Sequence, residues 1–209
     1  MIETYLRLRT QLLAAGYGQE YEWAQTVRSP DTTPERFVAQ AIWVICCSGF
    51  KEQAARVTEA AVWKALEAGN SATVVFPRSG KGRAIDKLWS EREAFYGQFV
   101  GLLVDKAPTE KIVAWVATLP YVGGRILRYH FAKNLGVDCA KPDRHLLRLV
   151  HAQGGMVEGD GFEAVMTVCR SIANATGDRI ATVDLLLWRA CNLGILSPAT
   201  WAHVASPRG

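Results

Sequence analysis

A glycine-rich turn followed by basic side chains is the part of this sequence best suited to bind an anion. Residues 118–127 read Thr-Leu-Pro-Tyr-Val-Gly-Gly-Arg-Ile-Leu. Pro120 cannot continue a helix and paired glycines permit a tight turn, so we predict one helix ending just before it and another beginning at about Gly124. The amides of Gly123, Gly124 and Arg125 would then face outward at a helix N-terminus, where a phosphate diester is the natural ligand.

A second candidate group is the carboxylate of Asp143, which follows Pro142 at a predicted helix start. A helix from Gly124 to Asn134 is about 16 Å long. The residues 135–142 span up to about 26 Å when extended, so the chain can return Asp143 to the turn. There it would face a deoxyribose. The plainer interpretation is a helix N-cap, which is the usual role of Asp after Pro; the pairing with the turn favours the catalytic one.

The positive charge of the chain is concentrated around these two features. The 209 residues carry 24 basic and 20 acidic side chains, a net charge of +4. Residues 119–151 alone hold this whole excess, and the rest of the chain is neutral. Such a patch is a footprint for a polyanion, although a solvated helix face has the same composition. Its bases are Arg125, Arg128, Lys133, Lys141, Arg144 and Arg148, with His130, His145 and His151.

These segments resemble a known family. Leu119–Leu127 resembles the Leu-Pro-Gly-Val-Gly-x-Lys hairpin of the helix–hairpin–helix/Gly-Pro-Asp superfamily of DNA base-excision glycosylases, and Pro142-Asp143 resembles its catalytic aspartate. Asp143 lies 18 residues after Arg125, a spacing that the family shows. The resemblance covers roughly residues 35–200. It implies one all-α, two-lobed, glycosylase-like domain over residues 1–209, with the helix–hairpin–helix at about 109–135 and the catalytic loop and helix at about 136–153.

The resemblance also implies a reaction and a partner. The partner is double-stranded DNA with a damaged or modified base, which is flipped out of the stack before its N-glycosidic bond is hydrolysed. Asp143 would be the catalytic residue. The residues implied to bind the DNA backbone are Tyr121, Gly123, Gly124, Arg125, Arg128, Lys141, Arg144 and His145.

Three departures from the family pattern sharpen the expectation. Arg125 replaces the lysine that forms an imine in bifunctional members, and a guanidinium cannot attack a sugar carbon, so we predict a monofunctional enzyme. Tyr121 replaces the first hairpin glycine. Only Cys169 and Cys191 lie where many relatives carry a four-cysteine iron–sulfur cluster. We therefore expect no such cluster and no resident metal or other cofactor, with room for a monovalent cation at the hairpin.

Two further groups of residues follow from the resemblance. The stretch 45–51 is similar to the helix end and loop that the family inserts into the duplex. Phe50 would fill the space left by the flipped base, unless it is an ordinary core residue. The wedge then comprises Ser48, Gly49, Phe50, Lys51 and Gln53, and the base pocket Trp23, Trp43, Asp184 and Trp188, with Tyr21 also a candidate. The plainer role for Asp184 is helix capping.

The elements that must position these groups are helical. Apolar residues recur at helical spacing over nearly the whole chain, and residues 37–47 are apolar nearly all round, which predicts a central buried helix. Only Ser71–Phe76 resembles a strand. The predicted fold class is all-α. Gly80-Lys81-Gly82-Arg83 lacks the spacing of a nucleotide-binding loop, so we set nucleotide hydrolysis aside.

Composition excludes other classes of protein. The longest apolar stretch is too short for a membrane helix, and the first residues do not form a secretion signal. The odd number of cysteines, 5, favours reduced thiols. We expect a cytoplasmic monomer with no membrane partner.

Three other interpretations stay open. One is a non-catalytic helix–hairpin–helix DNA-binding module in which Asp143 is dispensable. Another is a relative of the same lineage that hypermodifies thymine bases in phage DNA without releasing them. The third keeps the glycosylase chemistry but takes a modified viral base, such as glucosylated hydroxymethylcytosine, which would give an antiviral role.

Overall fold

A computed structural model of the chain describes residues 1–78 and 80–202, and only the backbone of Pro30. Within these residues the chain forms helices and loops and no β-strand, so the predicted all-α class is confirmed. The α-helices are α1 (Ile2–Leu12), α2 (Gly18–Thr26), α3 (Pro34–Cys47), α4 (Glu52–Glu67), α5 (Gly80–Ser90), α6 (Arg92–Val104), α7 (Thr109–Val116), α8 (Leu127–Asn134), α9 (Arg144–Ala152), α10 (Phe162–Thr176), α11 (Ile180–Asn192) and α12 (Pro198–Ala202).

The chain divides into two compact units. Unit 1 comprises Met1–Val27 together with the chain from Gly136 onward, and it contains α1, α2 and α9 to α12. Unit 2 comprises Arg28–Leu135 and contains α3 to α8. The sequence features with candidate chemistry are divided between them: the glycine-rich turn belongs to unit 2, and Asp143 belongs to unit 1.

Helix α3 is the centre of unit 2. It begins at Pro34, where a fixed φ suits the first helical position, and Thr33 caps it by accepting a hydrogen bond from the Arg36 amide (3.3 Å). Phe37 is fully buried and its ring contacts the rings of Phe99 and Phe131, with centroids 5.9 and 5.1 Å away. The prediction of a central buried helix over residues 37–47 is confirmed.

The predicted strand at Ser71–Phe76 is wrong, because this segment forms a 3-10 turn over Ala72–Val74. Side-chain oxygens accept hydrogen bonds from the backbone amides that would pair with a neighbouring strand in a sheet. Ser71 Oγ accepts from the Thr73 amide (3.0 Å), and Asp86 Oδ1 accepts from the Ala72 amide (2.7 Å). The six residues of this segment do not reveal this competition, because Asp86 is distant in sequence.

Gly82 explains the Gly-Lys-Gly-Arg motif at the start of α5. A Cβ added at Gly82 would lie 2.7 Å from Thr73 Cα, so any side chain there would separate α5 from the turn Ala72–Val74. The glycine therefore serves close packing. The same packing fixes the position of its neighbour Lys81, which is buried.

Unit 1 is held together by the carboxylate of Asp178, whose side chain is 2% exposed. Its Oδ2 accepts hydrogen bonds from the Tyr5 hydroxyl (2.6 Å) and from Arg9 Nη1 (2.9 Å). Its Oδ1 accepts from the Tyr21 hydroxyl (2.8 Å) and from Gln25 Nε2 (2.5 Å). Burial and the Asp178 carboxylate raise the pKa of Tyr5, which therefore donates. Tyr21, a candidate for the base pocket, is thus part of this buried network.

The Asp178 network yields a stability prediction. Asp178→Asn turns one acceptor oxygen into a donor and removes the charge that pairs with Arg9, so buried donors lose their partner. We expect a loss of about 3 kcal/mol in the free energy of unfolding, measured by urea denaturation. Glu22→Gln, at an exposed carboxylate of α2, is the matched control and should change stability by less than about 0.5 kcal/mol. Equal stabilities of the two variants would contradict this role of Asp178.

Candidate active site

Asp143 is the N-cap of α9. Its Oδ1 accepts hydrogen bonds from the amides of His145 (2.9 Å) and Leu146 (3.2 Å), so the plainer sequence interpretation describes one role of this residue. Its other oxygen, Oδ2, lies 3.4 Å from Lys141 Nζ. The side chain is 13% exposed. The cap therefore fixes one oxygen and leaves the second directed at a cation near the surface.

Hydrogen bonds join the loop that carries Asp143 to the first turns of α11. Arg179 Nη2 donates to the Gly136 carbonyl (2.8 Å), and Asp138 Oδ1 accepts from the Ala181 amide (3.0 Å). Asp184 Oδ1 accepts from the Lys141 amide (2.9 Å). Each bond joins residues 43 apart in sequence, so the loop and the start of α11 run side by side in the same direction.

Asp184 is therefore neither a helix cap nor a group on an open pocket wall. It is the fifth residue of α11 and is fully buried, which corrects the capping interpretation. Its carboxylate holds the backbone two residues before Asp143. Because Asp184 is fully buried, its position does not support the expectation that it lines a base pocket.

One face of α11 lies beside Lys141 and Asp143. Lys141 Nζ is 5.5 Å from the centre of the Trp188 ring, which also carries the Arg189 guanidinium at 4.9 Å. Burial, together with the Asp143 charge, raises the pKa of the Cys191 thiol to about 11. Cys191 was considered above only in relation to an iron–sulfur cluster, and its position beside Asp143 was not predicted. The sequence pattern that could have placed Cys191 near the site is its helical spacing, because residues 184, 188 and 191 share one helical face.

The remaining polar residues of this segment lie on α9. Arg144 is exposed and His145 is half-buried, and Arg148 is exposed one helical turn after Arg144. The two arginines share a face of the helix that begins at Asp143. Unit 1 thus has an ion pair between Asp143 and Lys141 at the start of a helix that carries two exposed arginines.

In unit 2, the glycine-rich turn joins α7 to α8, and the amides of Gly123 and Gly124 do not face outward as predicted. The Gly123 amide donates to the Leu119 carbonyl (3.2 Å), and the Gly124 amide donates to the Tyr121 carbonyl (3.1 Å). The second helix begins at Leu127, three residues later than predicted. The turn is more tightly coiled than predicted, because the amides of Gly123 and Gly124 bond to carbonyl groups within it.

Gly123 and Tyr121 determine the shape of this turn. A Cβ at Gly123 would collide with the Ala117 carbonyl and lie 2.9 Å from the Leu119 carbonyl oxygen, so only glycine fits. Tyr121, which stands where the family has glycine, has a φ of 62°. The left-handed conformation costs a non-glycine residue about 1–2 kcal/mol. The backbone therefore keeps a glycine-like turn while displaying a large ring, which is 37% exposed.

The basic side chains after the turn differ in exposure. Arg125 is exposed. Arg128 is half-buried, with Nη2 3.2 Å from the Tyr129 hydroxyl oxygen and the guanidinium over the Tyr129 ring. Lys133 is 6% exposed and adds little to the surface charge. Arg125 is the cation of this turn best placed to meet a phosphate.

The predicted wedge is a loop between α3 and α4 in unit 2. Gly49 has a φ of 80°, and the turn that it makes projects Phe50, which is 48% exposed and so not a core residue. Lys51 and Gln53 are exposed, and the Ser48 carbonyl accepts a hydrogen bond from Lys81 Nζ (2.6 Å).

The other tryptophans of the predicted pocket lie in different units. Trp23 is on α2 of unit 1 and is 39% exposed. Trp43 is on α3 of unit 2, with the Arg56 guanidinium 5.1 Å from its ring centre. The residues predicted for the base pocket are therefore divided between the two units.

Searches for metal and membrane features gave negative results over residues 1–78 and 80–202. No group of three or more His, Cys, Asp or Glu side chains in these residues could hold a metal ion. No helix among them is long and apolar enough to cross a bilayer.

Comparisons of the chain with protein-family models, with curated proteins and with solved structures gave no match. A function must therefore be argued from the residues themselves.

The proximity of Asp143 to Cys191 can be measured. Asp143→Asn removes a negative charge but retains an amide oxygen that caps α9, so we expect the Cys191 pKa to fall below its value of about 11. The thiolate fraction at pH 8 then rises, and iodoacetamide should alkylate Cys191 faster, as read by mass spectrometry of its peptide. Cys46, a buried thiol of unit 2, is the internal control. Unchanged Cys191 alkylation would contradict the proximity.

The two turn glycines offer a matched pair of variants. Gly123→Ala should cost about 2 kcal/mol of unfolding free energy, because the added methyl group collides with carbonyl groups of the turn. Gly124→Ala should have an effect within about 0.5 kcal/mol, since the nearest atom, the Tyr121 carbonyl oxygen, is 3.4 Å from its Cβ. Chemical denaturation measures both variants. Similar losses in the two would show that the turn does not have this shape.

Proposed function

We propose that the protein is a monofunctional DNA glycosylase that flips a damaged or modified base from double-stranded DNA and hydrolyses its N-glycosidic bond. The observation that carries the proposal is that the two oxygens of the Asp143 carboxylate have different partners. One oxygen is held by the helix cap, and the other lies 3.4 Å from the ammonium of Lys141, whose side chain is 15% exposed. This geometry suits a fixed anion that meets a substrate carrying phosphates.

Asp143 would stabilise the positive charge that develops on the sugar as the base departs. The bond between C1′ and the base nitrogen breaks, and its electron pair leaves with the base, which takes a proton from solvent. A water oxygen bonds to C1′ and gives its proton to the Asp143 carboxylate. Because Asp143 is anchored through its cap and through the Lys141 amide, its carboxylate needs little reorganisation during this step.

The cationic side chains would bind the DNA backbone. Lys141 pairs with Asp143 in unit 1, Arg144 and Arg148 are exposed on the helix that Asp143 caps, and Arg125 is exposed after the turn in unit 2. A carboxylate alone would repel a polyanion, so these cations are required for a sugar to approach it. Lys141 can exchange its ion pair with Asp143 for a phosphate oxygen, which would free Oδ2 at the moment that DNA binds.

The proposal includes the absence of lyase activity. Arg125 occupies the position that the family resemblance gives to the imine-forming lysine, and a guanidinium does not form an imine. The Lys141 ammonium is held by Asp143 and lies against Trp188. A borohydride-trapped adduct between protein and DNA, at any residue, would contradict the monofunctional assignment.

A DNA-binding module without catalysis is the second candidate, and one observation favours it. Asp143 already has a complete structural role as the N-cap of α9. In that case Asp143→Asn would leave the stability of the protein and its affinity for DNA nearly unchanged, since asparagine caps equally well.

The test uses duplexes that carry uracil, alkylated, oxidised or phage-type modified bases, including glucosylated hydroxymethylcytosine. We expect wild-type protein to leave alkali-labile abasic sites in one of these duplexes. Asp143→Asn should bind the same duplex with similar affinity but excise at least about 100-fold more slowly, because it lacks the charge that stabilises the sugar cation. Glu163→Gln, on an exposed carboxylate of α10, is the control and should retain full activity. Binding without excision by wild-type protein across the panel would favour the DNA-binding module.

A further inference from the structure

A buried lysine lies between the two segments of unit 2 that are proposed to contact DNA. Lys81 is 7% exposed, and its ammonium donates to the Ser48 carbonyl in the loop before Phe50. Its Nζ is 4.6 Å from the centre of the Phe50 ring and 5.8 Å from that of Tyr121. The inner side is closed by Phe76, which is buried and whose ring centre is 5.4 Å away.

This contact joins parts of the chain that are far apart in sequence. Phe50 follows α3, Tyr121 lies between α7 and α8, and Lys81 belongs to α5. A lysine is almost never this buried unless its charge has partners, and here ring faces and a carbonyl oxygen are among them. The ammonium therefore links the two rings more firmly than apolar contact alone would.

Both rings reach the surface at a cost to folding. Phe50 is 48% and Tyr121 is 37% exposed, and Tyr121 also adopts the left-handed backbone conformation. Strain of this kind persists where the surroundings enforce it, and it is concentrated at binding sites. Lys51 is exposed next to Phe50 in the chain, and Arg125 is exposed four residues after Tyr121, so each of the two segments also carries an exposed cation.

The position of Lys81 is itself fixed. The next residue, Gly82, packs against Thr73 with no space for a side chain, and Asp86 of the same helix bonds to the Ala72 amide. The start of α5 therefore cannot shift without breaking these contacts. A rigidly held ammonium is a suitable anchor for a loop whose own conformation depends on Gly49.

We propose that Lys81 is a positioning residue that holds Phe50 and Tyr121 as a two-ring surface for stacking on the bases exposed when a nucleotide leaves the duplex. Paired rings whose segments also carry exposed cations fit unstacked bases flanked by phosphates, because aromatic stacking is tolerant of base identity. The inference rests on the proposed function for the identity of the ligand. It adds a residue that acts through Phe50 and Tyr121 and does not itself touch DNA.

The experiment compares two duplexes that require no catalysis. One carries a tetrahydrofuran abasic-site analogue opposite 2-aminopurine, and the other is fully paired with 2-aminopurine at the same position. We expect wild-type protein to bind the first more tightly and to quench its fluorescence by stacking. Lys81→Met retains the side-chain length without the charge, and we expect it to lose the quenching and about tenfold of the preference. Its affinity for the paired duplex should change little.

Two further variants separate positioning from folding. Lys81→Arg retains a cation that can donate to the Ser48 carbonyl, and we expect it to preserve the quenching. Lys87→Met, at an exposed lysine of the same helix, is the matched control and should behave as wild type. Thermal unfolding of each variant identifies any loss of structure. If Lys81→Met loses the fold, Phe50→Leu at the exposed ring serves in its place and should abolish the preference.

The outcomes distinguish this inference from the proposed function. Equal binding of both duplexes by wild-type protein, or full quenching by a folded Lys81→Met variant, would overturn the inference whatever the excision assay gives. A clear preference that depends on Lys81, in a protein that leaves no abasic sites, would support the stacking surface and count against the glycosylase.

Discussion

The placement of Asp143 depends on the hydrogen bonds between one loop and one helix. Residues 136–141 run beside the first turns of α11, and side chains on each partner bond to the backbone of the other. Asp138 accepts from the helix, and Asp184 accepts from the loop. Because these bonds are reciprocal, neither partner can move without leaving buried polar groups unsatisfied. The chain thereby obtains a rigid support for a carboxylate at the end of a loop.

The start of α11 also anchors the N-terminal segment. Asp178 binds four side chains from α1 and α2, and Arg179 donates to the Ala24 and Val27 carbonyls. Two adjacent residues thus connect the first 27 residues of unit 1 to the loop that carries Asp143. This arrangement gives the N-terminal helices a function: they hold α11 in place, and α11 in turn holds the proposed catalytic residue.

Helix content was predictable from sequence because apolar periodicity reports burial, as at α3. Apart from the Asp143 helix cap, the polar contacts were not predictable. The strand expected at Ser71–Phe76 became a turn because Asp86, fifteen residues after Ser71, bonds to it. Asp184 looked like a cap because its partner, the Lys141 amide, is distant in sequence. The turn glycines were recognised, but their amides close the turn. The motif that contains Lys81 was considered only as a phosphate-binding loop, so the contacts of Lys81 with Phe50 and Tyr121 were not predicted.

The central claim is that the sugar–base bond is broken by hydrolysis at Asp143, and product analysis tests it most directly. Liquid chromatography with mass spectrometry can quantify the free base and the abasic DNA from a duplex that the protein acts on. Our account predicts the intact free base in equal amount to the abasic sites, with neither product formed by Asp143→Asn. A base that stays attached to DNA with an altered mass, or equal product from the variant, would contradict it.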